Sequence, residues 1–72
     1  MEWKIDLSEQ QRVLTMGGCE AIIARTSATI WRAQITHSGV VAEYDTFPTV
    51  AEAQAWCLTR LASYAAAGKC TA

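Results

Sequence analysis

The chain has few charged residues and no excess of positive charge. Its 72 residues include six Lys and Arg, seven Asp and Glu and one His, so the formal net charge is −1. Only 18 % of the residues are charged and 51 % are hydrophobic, which excludes the composition typical of a disordered chain. Without a basic excess, a broad surface for binding phosphates is not expected.

Cysteine occurs in an odd number and without the spacing of a metal or redox motif. Cys19, Cys57 and Cys70 lie far apart and form no C-x-x-C, whereas a secreted disulfide scaffold normally has an even number. We therefore predict three reduced thiols in a cytoplasmic protein, one or two of them packed as small core residues, with Cys70 the most exposed. One histidine and three scattered cysteines predict no metal site and no cofactor.

Long apolar runs are absent as well. No segment approaches the ~20 apolar residues that cross a bilayer. The first seven residues alternate polar and apolar side chains, unlike a signal or transit peptide. These absences predict a soluble, intracellular protein that does not bind membranes. A chain this short is expected to form one domain, here residues 1–68, followed by a flexible tail at residues 69–72.

Alternation of apolar and polar residues, the pattern of half-buried strands, covers the first two thirds of the chain. The dipeptides Gly17-Gly18 and Ser38-Gly39 are typical of tight hairpin turns, and Thr26-Ser27 is a weaker turn signal. The pattern predicts an antiparallel meander of four to five strands. The candidate strands are residues 2–7, 12–16, 19–25, 28–37 and 40–46.

The Ser38-Gly39 turn predicts a register for the last hairpin. With these two residues as the loop, Ala33 opposes Tyr44 on a mostly apolar face, so Tyr44 is expected in the core. On the other face Arg32 opposes Asp45, which predicts a cross-strand ion pair worth about 0.2–1 kcal/mol. A slip of one residue would exchange the two faces.

The period of the apolar residues changes after Pro48. Thr49 and Glu52 have the spacing of a capping box, and Gly68 is a typical helix-ending residue. Apolar residues between them recur at spacings of three and four, which predicts one amphipathic helix about 27 Å long. Its apolar stripe comprises Val50, Ala53, Trp56, Cys57, Leu61 and Tyr64. Strands followed by a helix define the α+β class, with the C-terminal helix packed on one face of the antiparallel sheet.

A single helix covers only one face of a sheet, and the apolar residues outnumber the positions beneath it. We therefore predict an apolar patch on the helix-free face, and such patches mark interaction sites. The residues assigned to this patch are Leu14, Met16, Cys19, Ile23, Ile30 and Phe47. The candidate interaction residues are Trp3, Leu14, Met16, Ile23, Ile30 and Arg32, with Trp3 as an aromatic anchor.

No constellation of residues predicts catalysis. A Cys–His pair would require folding to bring His37 to Cys19, Cys57 or Cys70, and no local motif supports one. Asp45 and Glu52 have structural roles in the predicted ion pair and helix cap, which leaves no carboxylate pair for acid–base chemistry. We assign no catalytic, cofactor-binding or metal-binding residue and expect the protein not to be an enzyme.

The segment at residues 47–56 has the pattern F-x-T-x-x-E-A-x-x-W at the junction between the predicted sheet and helix. It resembles the same junction in the arm-type DNA-binding domains of phage integrases, and the likeness covers residues 28–62. The resemblance implies a three-stranded sheet packed on a helix, with DNA bound by the sheet. Where strands of that family present basic side chains, this chain places Arg32 beside Glu43 and Asp45.

The whole chain is also similar in size, charge and architecture to small phage-encoded inhibitor proteins, including some anti-CRISPR proteins, which occlude a partner's surface. We predict a non-enzymatic interaction protein that binds a protein partner through the helix-free sheet face or an edge strand, and that forms a homodimer through the same patch. Sheet-mediated DNA binding is the alternative. Acidic residues interleaved with the basic ones on the strands disfavour it.

Overall fold

The structure is a computed structural model that describes residues 3–6 and 10–70. One antiparallel sheet has its strands in the order β1-β2-β3-β4-β5, and a helix follows the last strand. The predicted α+β meander with one C-terminal helix is therefore confirmed. The elements are β1 (Lys4–Asp6), β2 (Gln11–Met16), β3 (Cys19–Ser27), β4 (Ile30–His37), β5 (Val40–Phe47) and α1 (Val50–Ala66).

Three short turns connect strands β2 to β5. The Gly17-Gly18 turn is confirmed, and Gly17 has a φ of 58°. In the turn between β4 and β5, Ser38 and Gly39 have φ angles of 54° and 81°. Both values lie in the left-handed region that two-residue hairpin loops favour. The turn predicted at residues 26–27 lies instead at Ala28-Thr29, because a bulge lets β3 continue.

Helix α1 begins at the predicted cap. The Thr49 Oγ1 accepts a hydrogen bond of 3.2 Å from the Glu52 N–H, which satisfies one of the unpaired donors of the first turn. At the other end Gly68 has a φ of 78°, a conformation that glycine adopts without steric cost. The Lys69 N–H then donates to the Tyr64 carbonyl at 2.9 Å.

The core lies between α1 and one face of the sheet. Ala21 and Ala33 are fully buried in the central strands beneath the helix, and Ala53 is fully buried on the helix itself. These small side chains let the helix approach the sheet closely while larger residues fill the space around them. The core comprises Leu14, Met16, Cys19, Ala21, Ile23, Ala33, Ile35, Ala53, Cys57, Leu61, Tyr64 and Cys70, with Trp3, Trp31, Phe47, Val50, Trp56 and Ala65 packed against it.

The predicted position of the apolar patch is wrong. Leu14, Met16 and Ile23 are at most 7 % exposed and lie beneath the helix, together with Cys19. Phe47 also packs against the core. The reason is that β2 and β3 carry large apolar residues on both faces, Val13 and Ile22 on one and Leu14 and Ile23 on the other. The cross-strand register places Ile23 opposite Ala33, and so the set that contains Ile23 faces the helix.

A bulge in β5 overturns the predicted register of the last hairpin. The pairing shifts between Ile35 and Thr36, so that Ile35 opposes Glu43 instead of Ala42. Every later side chain of β5 consequently changes face. Tyr44 is 62 % exposed instead of lying in the core, and the predicted pair of Arg32 with Asp45 does not form, because Arg32 opposes Thr46.

The predictions for two of the cysteines are wrong. Cys19 and Cys70 form a disulfide across a sequence separation of 51, and Cys70 is only 4 % exposed. The Lys69 carbonyl lies 3.0 Å from the His37 Nε2, so residues 69 and 70 lie against the sheet. Residues 71–72 of the predicted tail, and Glu2 and Leu7 of the predicted first strand, lie outside the described residues. Disulfides persist mainly in oxidising compartments, which weighs against the expectation of reduced thiols.

Candidate interaction surface

The sheet face opposite α1 has no covering element among the described residues. Side chains alternate between the two faces of a strand, so the neighbours of the buried residues point away from the helix. We call this surface the open face. It comprises Lys4, Asp6, Gln11, Val13, Thr15, Glu20, Ile22, Ala24, Ile30, Arg32, Gln34, Thr36, Val41, Tyr44 and Thr46.

A row of directly paired residues crosses the middle of the open face on all five strands. It runs from Lys4 through Val13, Ile22 and Gln34 to Tyr44. Three of the five side chains are apolar or aromatic, and the residues on either side of the row are mostly polar. An apolar centre with a polar rim is the usual anatomy of a protein–protein interface.

The most prominent feature of the open face is a stacked pair: Tyr44, at the end of the row, and Arg32, which lies beside the row. The Arg32 guanidinium carbon lies 4.4 Å from the centre of the Tyr44 ring, within the range of a cation–π contact. Both residues are exposed, and the stacking places two large side chains side by side at the surface. Tyrosine and arginine are among the residues enriched at binding hot spots. The bulge in β5 is what brings Tyr44 to this face.

The open face carries balanced charge. Within residues 3–6 and 10–70 its positive residues are Lys4 and Arg32, and its negative residues are Asp6 and Glu20. A surface that binds nucleic acid gains most of its affinity from an excess of Lys and Arg over phosphates. This face carries no such excess among the described residues.

The predicted interaction residues fall into three groups. Ile30, 42 % exposed, and Arg32 lie on the open face, as expected for surface contacts. Trp3 is half-buried and packs against the core. Leu14, Met16 and Ile23 lie in the core and are not available to a partner. The residues that the prediction missed are their neighbours on the opposite face, Val13 and Ile22, together with Tyr44.

The two edges of the sheet are poorly suited to accept another strand. The β1 edge is only three residues long. The β5 edge is interrupted by its bulge, and the Asp45 Oδ1 accepts a hydrogen bond of 2.8 Å from the Thr46 N–H. Bulges and charged side chains are the devices by which natural edge strands avoid pairing with other chains. Of the two predicted binding modes, the open face is therefore the better supported.

Glu43, on the covered side of β5, joins the sheet edge to the helix. Its carboxylate accepts hydrogen bonds from the Arg60 Nε at 2.5 Å, the Arg60 Nη2 at 3.1 Å and the Tyr64 hydroxyl at 2.8 Å. Burial alone raises the pKa of Glu43, but the bonds from Arg60 and Tyr64 and the Arg60 charge outweigh it, so the pKa lies below its ordinary value. These contacts give the three residues a structural role at the junction of β5 and α1.

No arrangement of the described residues suggests catalysis or metal binding. The free thiol of Cys57 is fully buried, and burial raises its pKa to about 11, so it is protonated and inaccessible at neutral pH. No cluster of three or more His, Cys, Asp or Glu residues occurs in the described ranges. A depression near Arg25 is not an anion site, because the guanidinium already donates to the carbonyls of Ser27 and Ala28 and to the Gln10 side chain.

The fold and the open face together define a small α+β domain with one covered and one uncovered sheet surface. No protein-family model, curated protein or solved structure matches the chain. Within the described ranges no helix has the length and apolar character of a membrane span.

Proposed function

We propose that the protein is a non-enzymatic interaction module that binds a protein partner through its open face. The observation that carries the proposal is the exposed Tyr44–Arg32 stack at the end of an apolar row that crosses the sheet. An exposed aromatic ring of this size is costly to leave in water and gains most by desolvation against a partner. The balanced charge of the face and its polar rim support a protein over a nucleic acid as that partner.

The test uses Tyr44→Ser, with Val40→Ser as its matched control. Both residues are large, exposed side chains of β5, at 62 % and 68 % exposure, but Val40 lies at the hairpin end, paired with His37, outside the open face. Wild type and the two variants are immobilised and used to capture proteins from the source cell, after circular dichroism has verified that each is folded. We expect a specific protein to be recovered with wild type and with Val40→Ser and to be reduced at least about tenfold with Tyr44→Ser, the loss of one hot spot.

Two outcomes would contradict the proposal. If Tyr44→Ser captured the same proteins as wild type, in the same amounts, the open face would not be the binding surface. A gel shift with duplex DNA whose affinity falls steeply with salt would favour the alternative, sheet-mediated DNA binding. No shift at low salt would remove that alternative.

A further inference from the structure

The two charged residues in the centre of the open face, one acidic and one basic, lie on opposite sides of the apolar row. Glu20 pairs with Thr36 on one side of the row, and Arg32 pairs with Ala24 on the other. Glu20 and Ala24 are four residues apart on β3, which corresponds to about 13 Å along the strand. Glu20 and Arg32 are therefore too far apart to form an ion pair within one chain.

We infer that the open face binds a second copy of this chain, and that the two copies pack face to face as a two-sheet sandwich. The inference rests on the proposed function, because it names the partner for the same surface. The two copies are related by a two-fold axis that runs along the apolar row. Such a contact is isologous, so each pair of residues across the interface occurs twice.

Charge complementarity supports this arrangement. The two-fold axis lays β3 of one copy over β3 of the other and reverses its direction. Glu20 of one copy then lies above Ala24 of the second copy, one strand away from the second copy's Arg32. Packed sheets are about 10 Å apart and neighbouring strands about 4.8 Å apart, a span that extended Arg and Glu side chains bridge together. Two ion pairs result, one at each side of the apolar row.

The same axis superimposes the apolar row on itself. Val13 meets Val13, Ile22 meets Ile22 and Tyr44 meets Tyr44, so the apolar centre of each face covers that of the other. Gln34 also meets Gln34, and Lys4 meets Lys4 at the exposed β1 end of the row. Two sheets packed in this way cross at about 30°, the usual angle in β-sandwiches. The apolar row thereby becomes the centre of a second core, opposite the one under α1.

Other ways of pairing two copies oppose like charges. A two-fold axis parallel to the strands would place Glu20 above Glu20 at the centre of the interface. Antiparallel pairing of two β5 edges about Tyr44 would place Glu43 opposite Asp45, and pairing about Glu43 would place Glu43 opposite itself. Like charges directly opposite one another destabilise a sheet contact. The face-to-face arrangement about the apolar row avoids all three. Its one pair of like charges, Lys4 with Lys4, lies at the exposed β1 edge, where the long side chains can extend into water.

Sedimentation equilibrium of the purified full-length chain over a range of concentrations tests the inference. Wild type is expected to shift from the monomer mass of 7.8 kDa to twice that value as concentration rises. Glu20→Arg and Arg32→Glu should each remain monomeric where wild type is dimeric, because like charges then face each other. An equimolar mixture of the two variants should recover the dimer, because each new charge faces its opposite in the other variant. Glu52→Arg, a charge reversal on the exposed side of α1, should associate like wild type.

A wild-type chain that stays monomeric at every concentration would overturn the inference. So would a dimer that the two single variants do not recover when mixed, once circular dichroism has established that both are folded. Neither result bears on the proposed function, which depends on the effect of Tyr44→Ser on the capture of a protein, whether or not that protein is a second copy of this chain. Failure of the inference and failure of the proposed function are thus separate outcomes.

Discussion

Ile22 and Ile23 are adjacent on β3 and meet opposite environments. Ile23 is 0 % exposed beneath α1, whereas Ile22 is half-buried on the open face between Val13 and Gln34. The covered face combines small central residues with large flanking ones, which is what close packing by a helix requires. The open face has apolar residues too, but none of the elements in residues 3–6 and 10–70 buries them. Similar residues on the two sides of one strand therefore serve stability on one side and, in the function we propose, recognition on the other.

The largest expected effect comes from placing a charge on the covered face. Ile23→Glu buries a carboxylate without a partner, which should cost more than about 4 kcal/mol. Small domains are stable by only about 5–15 kcal/mol in total. A loss of this size should leave the variant unfolded or with little remaining stability. Circular dichroism during urea titration measures the change. Ile22→Glu, one residue away, should keep a cooperative transition near that of wild type. If Ile23→Glu folded well and Ile22→Glu did not, the assignment of the covered and open faces would be the reverse of the one described.

The disulfide at the end of the covered face should have the next largest effect. For a closed loop of this length, replacing both Cys19 and Cys70 by Ser should lower the free energy of unfolding by about 4 kcal/mol. Urea titration should show a similar loss when wild type is reduced, and no effect of reductant on the double variant. Alkylation of the unfolded, unreduced protein should label one thiol, that of Cys57. Labelling of three thiols would show that the bond does not form.

A smaller effect is expected at the edge of the covered face, where Glu43 joins β5 to α1. Glu43→Gln should lower the free energy of unfolding by about 1 kcal/mol at neutral pH, since the ion pair with Arg60 is partly exposed. The pKa of Glu43 is lower in the folded chain, so the stabilisation is present above its ordinary value of 4.5 and is lost as pH falls through the folded pKa. Thermal unfolding from pH 7 to pH 2 should show this loss in wild type and in Glu20→Gln, but not in Glu43→Gln. Equal pH profiles for all three would contradict the role of the pair.

The sequence predicts much of the fold because the relevant signals are local. The Thr49 cap, the Ser38-Gly39 turn and the helical spacing of Cys57 and Leu61 each depend on residues close together in the chain, and the structure has all of them. Every residue of the predicted helix stripe is buried or half-buried in α1, and Ala65, which also packs against the core, was not part of it.

The candidate surface was harder to predict because it depends on long-range choices. Large apolar residues occur on both faces of β2 and β3, and only the packing of the rest of the chain determines which face is covered. The β5 bulge at Ala42 has no glycine or other local marker, yet it moves Tyr44 to the surface and brings Glu43 to Arg60. The pairing of Cys19 with Cys70 likewise requires the C-terminus to return to the β2–β3 hairpin. Sequence spacing does not reveal such a return.

The Cys19–Cys70 bond also changes the connectivity of the molecule. It joins β3, β4, β5 and α1 into a covalent ring, outside which β1 and β2 form a branch. A protease that cuts the backbone once within the ring, for example at the exposed Ala28-Thr29 turn, leaves all residues in one covalent molecule, held by the disulfide. A cut before Cys19 instead releases a fragment. The backbone can therefore be opened within the ring to create new termini while β3, β4, β5 and α1 all remain covalently joined.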